Sequence, residues 1–166
     1  TTVRLTAHLL RTSGKRGGMT NSDGVYNEQR CIDTGDCSGP RSARNVLLHP
    51  DVDAAVFETA RGGILREGLA FDRCDVAIVT NIGVGDHLGM NFINTVDSLA
   101  LLKRVIVQNV APHGTAVLNA ADPMVAKMAD THLTIKLESG LGDIFTGVFA
   151  IPSVERGGEY NKEETF

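Results

Sequence analysis

Two short apolar runs constrain this chain most, because each breaks off into polar, glycine-bearing sequence. Val52–Phe57 ends at Glu58 and continues Thr59-Ala60-Arg61-Gly62-Gly63. Val76–Val79 ends at Thr80-Asn81 and a glycine loop carrying Asp86 and His87. Apolar runs of this length, bounded by turn residues, read as buried strands. The connection Arg61–Asp72 has room for a short crossover helix, which predicts that the two strands pair in parallel. Ligands of an open parallel sheet bind beyond the carboxyl ends of its strands. An acid and an imidazole at two such ends are therefore a site hypothesis.

The same alternation extends both ways. Val3–Arg11 has apolar residues at helical spacing, and Gly14 is a plausible stop. Lys15–Tyr26 holds a short strand and the turn Asn21-Ser22-Asp23-Gly24, and Tyr26–Ile32 a small hairpin. Gly35–Arg44 is a polar loop leading into a helix. Ser38 or Gly39 caps that helix, Pro40 suits its first position, Val46-Leu47-Leu48 supply its apolar face, and His49-Pro50 end it. Ile93–Val110 reads as a helix with Leu99, Leu102, Val105, Ile106 and Asn109 along one side, stopped by Ala111-Pro112-His113-Gly114. Thr115–Leu118 is a buried-type strand, and Asp122–Met128 a helix capped by Asp122 with Pro123 at its first position.

Strand alternating with helix predicts an α/β fold with a doubly wound, mostly parallel sheet. Residues 1–131 make up that domain. Residues 132–166 form a continuation that includes strand candidates at His132–Leu137 and Ile144–Ile151 and a polar tail from Glu155.

Composition narrows the function. A net charge of −4 disfavours a general nucleic-acid binder, which needs a basic surface. Three cysteines without CxxC spacing disfavour a disulfide framework or structural zinc and fit a reducing cytoplasm. No apolar run approaches the ~18 residues of a membrane span, and without a charged-then-apolar leader in this sequence secretion is not expected. Opening at Thr1 in helix-like sequence, the chain is expected to continue a larger protein.

Each candidate side chain carries two readings. Glu58 is either a Mg²⁺ ligand, since that hard ion takes one or two carboxylates plus substrate phosphates, or a solvated strand-end acid. His87, with Asp86 beside it, is a metal ligand or proton-transfer group, or an ordinary loop histidine. Lys103 neutralises phosphate, becomes an oxygen ligand by carbamylation, or is a surface lysine beside Arg104. Asn119 and Asp122 meet a nucleoside or cap a helix. Asp23, Asp36 and Arg41 face a substrate or are solvated turn residues. None of the cysteines has a partner base nearby in sequence, so a thiol nucleophile is not expected.

The segments SDGVY with GDCSGPRSA, AVFETARGGILREGLAFDRCDVAIVTNIGVGDHLG, LALLKRVIV and AVLNAADP together resemble the central ATP-binding domain of the Mur ligase superfamily, over about residues 1–130. Within it, they are most similar to the branch that joins arginine to aspartate side chains of a polyaspartate backbone. The resemblance implies a P-loop-type fold and an ATP-dependent amide ligase working through an acyl phosphate, with ATP and Mg²⁺ as cofactors. On it, Glu58 and His87 are metal ligands, and Lys103 falls near the lysine that several related ligases carbamylate. Thr1 and Thr2 continue the phosphate loop, whose glycines and lysine are not in this sequence. Asn81 lies towards metal or γ-phosphate, and Asn119 and Asp122 towards the nucleoside. Ser22, Asp23, Asp36, Ser38 and Arg61 lie towards the acceptor. The resemblance further implies a cytoplasmic enzyme, a homo-oligomer at full length, and an isolated chain without activity. The competing expectations are an inactive Mur-like structural or oligomerisation module, and another Mur-family peptide ligase.

Overall fold

The computed structural model describes residues 1–83, 88–89, 92–131 and 135–136. They fall in two compact units, Thr1–Asp72 and Arg73 onward.

The first unit opens with α1, Thr2–Thr12. Its end is set by Gly14, at φ +86°: Gly14 N donates to Arg11 O, and Lys15 N to Leu10 O, the paired bonds of a left-handed C-terminal cap. Thr1 holds the N-cap position without a side-chain cap bond. Three strands follow as an antiparallel meander, β1 (Gly17–Asn21), β2 (Gly24–Asn27) and β3 (Arg30–Thr34). Next come α2 (Pro40–Leu47), β4 (Ala54–Phe57) and α3 (Arg61–Glu67), and the sheet order is β3-β2-β1-β4, with β1 and β4 parallel.

Alternation sends β1 side chains to both faces. Gly17 turns toward Ala7 of α1, whereas Gly18 lies under α2: a Cβ on Gly18 would strike Val46 and Val52. The core on the α2 side joins Val25, Cys37 and Val46 with Val52, Ala55 and Phe57. Of the expected apolar face of α2, Val46 is buried, but Leu47 and Leu48 are 46% and 76% exposed. Consecutive residues on a helix point 100° apart, and the buried stripe is Pro40, Ala43 and Val46.

At the amino ends of β1 and β4, Arg16 grips Asp53. Its Nε and Nη2 donate at 2.9 and 2.7 Å and its backbone N at 3.2 Å. In return Asp53 N donates to Arg16 O at 2.9 Å. These bonds hold the Asp53 carboxyl at about 2.

The second unit comprises β5 (Cys74–Val79), α4 (Val96–Gln108), β6 (Val110–Leu118), α5 (Pro123–Ala126), a 3₁₀ turn Lys127–Thr131 and β7 (Ile135–Lys136), with parallel order β5-β6-β7. Leu99 and Val107 of α4 pack on Ala77, Val79, Ala116 and Leu118, with Val125 and Met128 closing the core. On the other face of β5, Val76 and Ile78 are 54% and 36% exposed.

Two further expectations need correction. The strands flanking Arg61–Asp72 do not pair with each other. β4 pairs with β1 and β5 with β6, so the connection joins two sheets. Also, Ala111-Pro112-His113-Gly114 is not simply a helix stop but belongs to β6. Pro112 is tolerated because the β5–β6 register shifts between Cys74 and Val76, where β6 residues bulge out of the ladder. Gly114 fits this bulge because a Cβ would crowd Asp75 O and Val110. The strand expected within His132–Leu137 is present as β7, while Ile144–Ile151 and the tail from Glu155 lie outside the described residues. So does the stretch beyond the expected boundary at residue 131, apart from β7.

Gly63→Ala would place a Cβ 2.9 Å from the Pro40 ring and 3.1 Å from Gly39 Cα, neither of which can easily yield. It is expected to cost about 1–3 kcal/mol in urea unfolding. Gly62→Ala, which meets only the movable end of Arg66, should cost little. The Asp53 carboxyl is depressed in the folded state, so its pairing stabilises fully above the unfolded value of about 3.9 and is lost as pH falls through about 2. Asp53→Asn should therefore be less stable at neutral pH and should lose less on going from about pH 4 to pH 2, read from melting temperatures.

Candidate functional site

In the first unit the candidates gather at the carboxyl ends of β1 and β4. Parallel register sets Thr20 beside Phe57, and Glu58 N donates to Thr20 O at 2.9 Å. That bond brings the Glu58 side chain back over the next turn, where Oε2 accepts from Ser22 N at 3.3 Å. The turn is tied by Asn21, whose Oδ1 accepts from Asp23 N (2.9 Å) and Gly24 N (3.0 Å). A side-chain oxygen bonding backbone two and three residues on is what favours Asn in such turns. Asp23 then pairs with Arg4 of α1, which raises the guanidinium above its ordinary value.

The loop 35–39 leading into α2 is held to the same place. Cys37 N donates to Asn21 O and Ala60 N to Ser38 O, both at 3.0 Å. Asp36 accepts from the Ser38 hydroxyl and backbone N, and these bonds lower its carboxyl below the usual range. Ser22, Asp23, Asp36, Ser38 and Glu58 are thus linked through one backbone network, with Arg61 at the first position of α3 two residues beyond Thr59. Sequence reasoning missed Thr20. It is fully buried, and among the described residues its hydroxyl has no partner, nor does Asn21 Nδ2. The polar pair Thr20-Asn21 closing a strand of otherwise small and apolar residues is the signal that marks it.

These groups fit a Mg²⁺. Glu58 offers an exposed carboxylate at a strand end, and the ion takes most of its other ligands from water and phosphate. Among the described residues no three acids, imidazoles or thiols gather as a metal cluster, and such a site requires none. Asp86 and His87 lie outside the described residues.

In the second unit the candidates meet at the carboxyl ends of β5 and β6. Asn119 N donates to Val79 O (3.2 Å) and Nδ2 to Thr80 O (2.8 Å), so the side chain is spent on the neighbouring strand end. Thr80 donates its hydroxyl to Asn81 Oδ1 at 3.0 Å, and Lys103 Nζ on α4 lies 3.4 Å from Asn81 O. Asp122 caps α5 by accepting from Met124 N and Val125 N, and its other oxygen accepts from Ile82 N at 2.7 Å. It fastens the segment after β5 to the helix start. Thr1 and Thr2 are exposed at the amino end of α1 in the first unit, where Thr2 O accepts from the Thr6 hydroxyl. Cys31, Cys37 and Cys74 are free, and burial pushes the Cys74 thiol up, away from nucleophilic chemistry. No helix among the described residues is long and apolar enough to cross a membrane.

Comparison with known proteins adds the following. Residues 1–149 match the Mur ligase middle domain. The chain is 53% identical over 130 residues to cyanophycin synthetase of Synechocystis sp. and to that of Crocosphaera subtropica, and 50% identical over 129 residues to that of Geminocystis herdmanii. In each case the match covers 78% of this chain and 15% of the relative, so the chain spans about 15% of the length of the proteins it matches. The structure of a UDP-N-acetylmuramoyl-L-alanyl-D-glutamate–2,6-diaminopimelate ligase superposes with a TM-score of 0.62 at 20% identity, over 81% of this chain and 28% of that one, which shows the fold.

Asp122→Ala removes three acceptor bonds at once. The expected loss is about 2 kcal/mol in chemical unfolding, with Asp122→Asn intermediate.

Proposed function

The chain belongs to the Mur ligase middle-domain family, and from that premise we propose that it is the nucleotide-handling part of an ATP-dependent amide ligase of the cyanophycin synthetase kind. The reaction joins arginine to the side-chain carboxylate of aspartate in a polyaspartate backbone. ATP phosphorylates the carboxylate, and the amine displaces phosphate from the acyl phosphate. Kinship with cyanophycin synthetases supports this reading most strongly. The whole protein is taken to be a cytoplasmic homo-oligomer acting on small amino acids and an acidic polymer, without nucleic acid or membrane.

Phosphoryl transfer leaves the protein chiefly positioning and charge neutralisation to perform. Glu58 and His87 would hold Mg²⁺, which when bound neutralises phosphate charge. The Glu58 carboxylate is already oriented by Ser22 N, so little freedom is lost when it takes up a ligand. Lys103, whose Nζ donates to the Asn81 backbone O at 3.4 Å, would bring an ammonium to the transferring phosphate, with Asn81 beside it. Thr1 and Thr2 continue the phosphate-binding loop, and Asn119 with Asp122 shapes the nucleoside side. Ser22, Asp23, Asp36, Ser38 and Arg61 line the acceptor side, where the network that fixes the loop also fixes the acceptor carboxylate.

The test uses the full-length parent protein. Glu58→Ala or His87→Ala is expected to lower ADP release driven by arginine and an aspartate-rich acceptor at least about 100-fold, with folding unchanged by circular dichroism. Wild-type turnover in either variant overturns the assignment for that residue.

A further inference from the structure

Away from the strand-end residues, the first unit has a concavity of about 240 Å³ on the face of β1 and β2 turned to α1. Neither Glu58 nor Ser22 lines it. One edge is Arg4, His8 and Arg11, which share a face of α1 at i, i+4 and i+7. The floor is Met19, and the far side is Tyr26 with Glu28 of the β2–β3 turn.

Its charges are unequally engaged. Arg4 is paired with Asp23 and sits over the Tyr26 ring, 5.6 Å from the centroid. Arg11 is half-buried and touches His8 Nδ1 at 3.1 Å, which leaves its guanidinium without a carboxylate among the described residues. Glu28 is held in left-handed backbone, φ +55°, by two bonds to Gly17: its N donates to Gly17 O at 2.7 Å, and its Oε1 accepts from Gly17 N at 2.6 Å. A non-glycine residue in that region needs such surroundings to stay there. The cavity therefore has an available cation on one wall and, on the other, a fixed carboxylate whose second oxygen has no hydrogen bond among the described residues.

A simple dianion would satisfy Arg11 but meet Glu28. A ligand carrying both a carboxylate and an ammonium satisfies both walls. The volume is below the usual ~300 Å³ lower limit for a drug-sized site, which favours something amino-acid-sized. We propose that this cavity binds a free α-amino acid with an apolar side chain, its carboxylate on Arg11, its ammonium on Glu28, and its side chain against Met19 and Tyr26. The strand-end site has no part in this assignment, which stands or falls separately from the ligase reading.

Calorimetric titration of the 166-residue chain with a matched set tests it. L-Norleucine has both charges, hexanoate lacks the ammonium, and pentylamine lacks the carboxylate. Norleucine is expected to bind saturably, and each of the others at least about ten-fold more weakly. Arg11→Ala should abolish the preference over pentylamine, and Glu28→Gln, which keeps the acceptor for Gly17 N, should abolish the preference over hexanoate. Residual hexanoate binding and an unchanged melt show that the Glu28→Gln chain is folded. Arg44→Ala on α2 should bind norleucine as the parent does. Failure of norleucine to bind, hexanoate binding as tightly as norleucine, or undiminished preference in both cavity variants overturns the proposal.

Discussion

The bond from Glu58 N to Thr20 O is the link on which the first unit's chemistry depends. It is the last rung of the parallel β1–β4 ladder, and it exists because Gly17 to Thr20 lie in register with Ala54 to Phe57. Shift that register by one residue and every side chain changes face. Glu58 would then leave Ser22 N, and Ala55 and Phe57 would leave the core they share with Val25 and Val46. Apolar packing and site geometry are therefore specified by the same pairing. Neither can drift without a cost to the other.

Glycine permits the close packing that this pairing needs. Gly18 lets α2 lie on β1, and Gly63 lets the start of α3 lie against Pro40 and Gly39. The loop leading into α2, α3 and the two strand ends are thereby drawn within reach of one backbone network, in which Asn21 and Ser38 carry bonds in two directions. In the second unit Asp122 has the comparable task, joining the end of β5 to the start of α5. Most polar side chains at these strand ends are occupied with holding the backbone, the Thr20 hydroxyl and Asn21 Nδ2 excepted, and Glu58 and Lys103 project from that frame.

Much of this was legible in the residues, for physical reasons that can be named. Local signals held: Gly14 stops α1, Asn21 to Gly24 make a turn, Pro40 opens α2, and Asp122 caps α5. Each is a short-range steric or hydrogen-bond preference, so neighbouring residues suffice to show it. The neighbour of each strand was not legible. A crossover of suitable length says that a parallel strand follows somewhere, not which strand lies beside it, and β4 chose β1. The β6 bulge was hidden for a similar reason, because Pro112 looks like a breaker until its partner strand is known to skip past it. Leu47 and Leu48 were misplaced because three consecutive apolar residues cannot share one helical stripe. The candidate residues Glu58, Ser22 and Asp36 did come together, as did Asn81, Lys103 and Asn119, each set within its own unit. Thr20 was overlooked because a buried hydroxyl without a partner is a property of surroundings, not of sequence.

The Arg16–Asp53 grip sits at the amino ends of β1 and β4, whereas Glu58 and Asn21 sit at the carboxyl ends of the same two strands. One pair of strands thus keeps its fastening and its chemistry a full strand length apart. Substitutions at the fastened end can raise or lower robustness without displacing a side chain at the reactive end. A lineage carrying this fold has a place to absorb mutational damage, or to compensate for it, that selection on the reaction does not police.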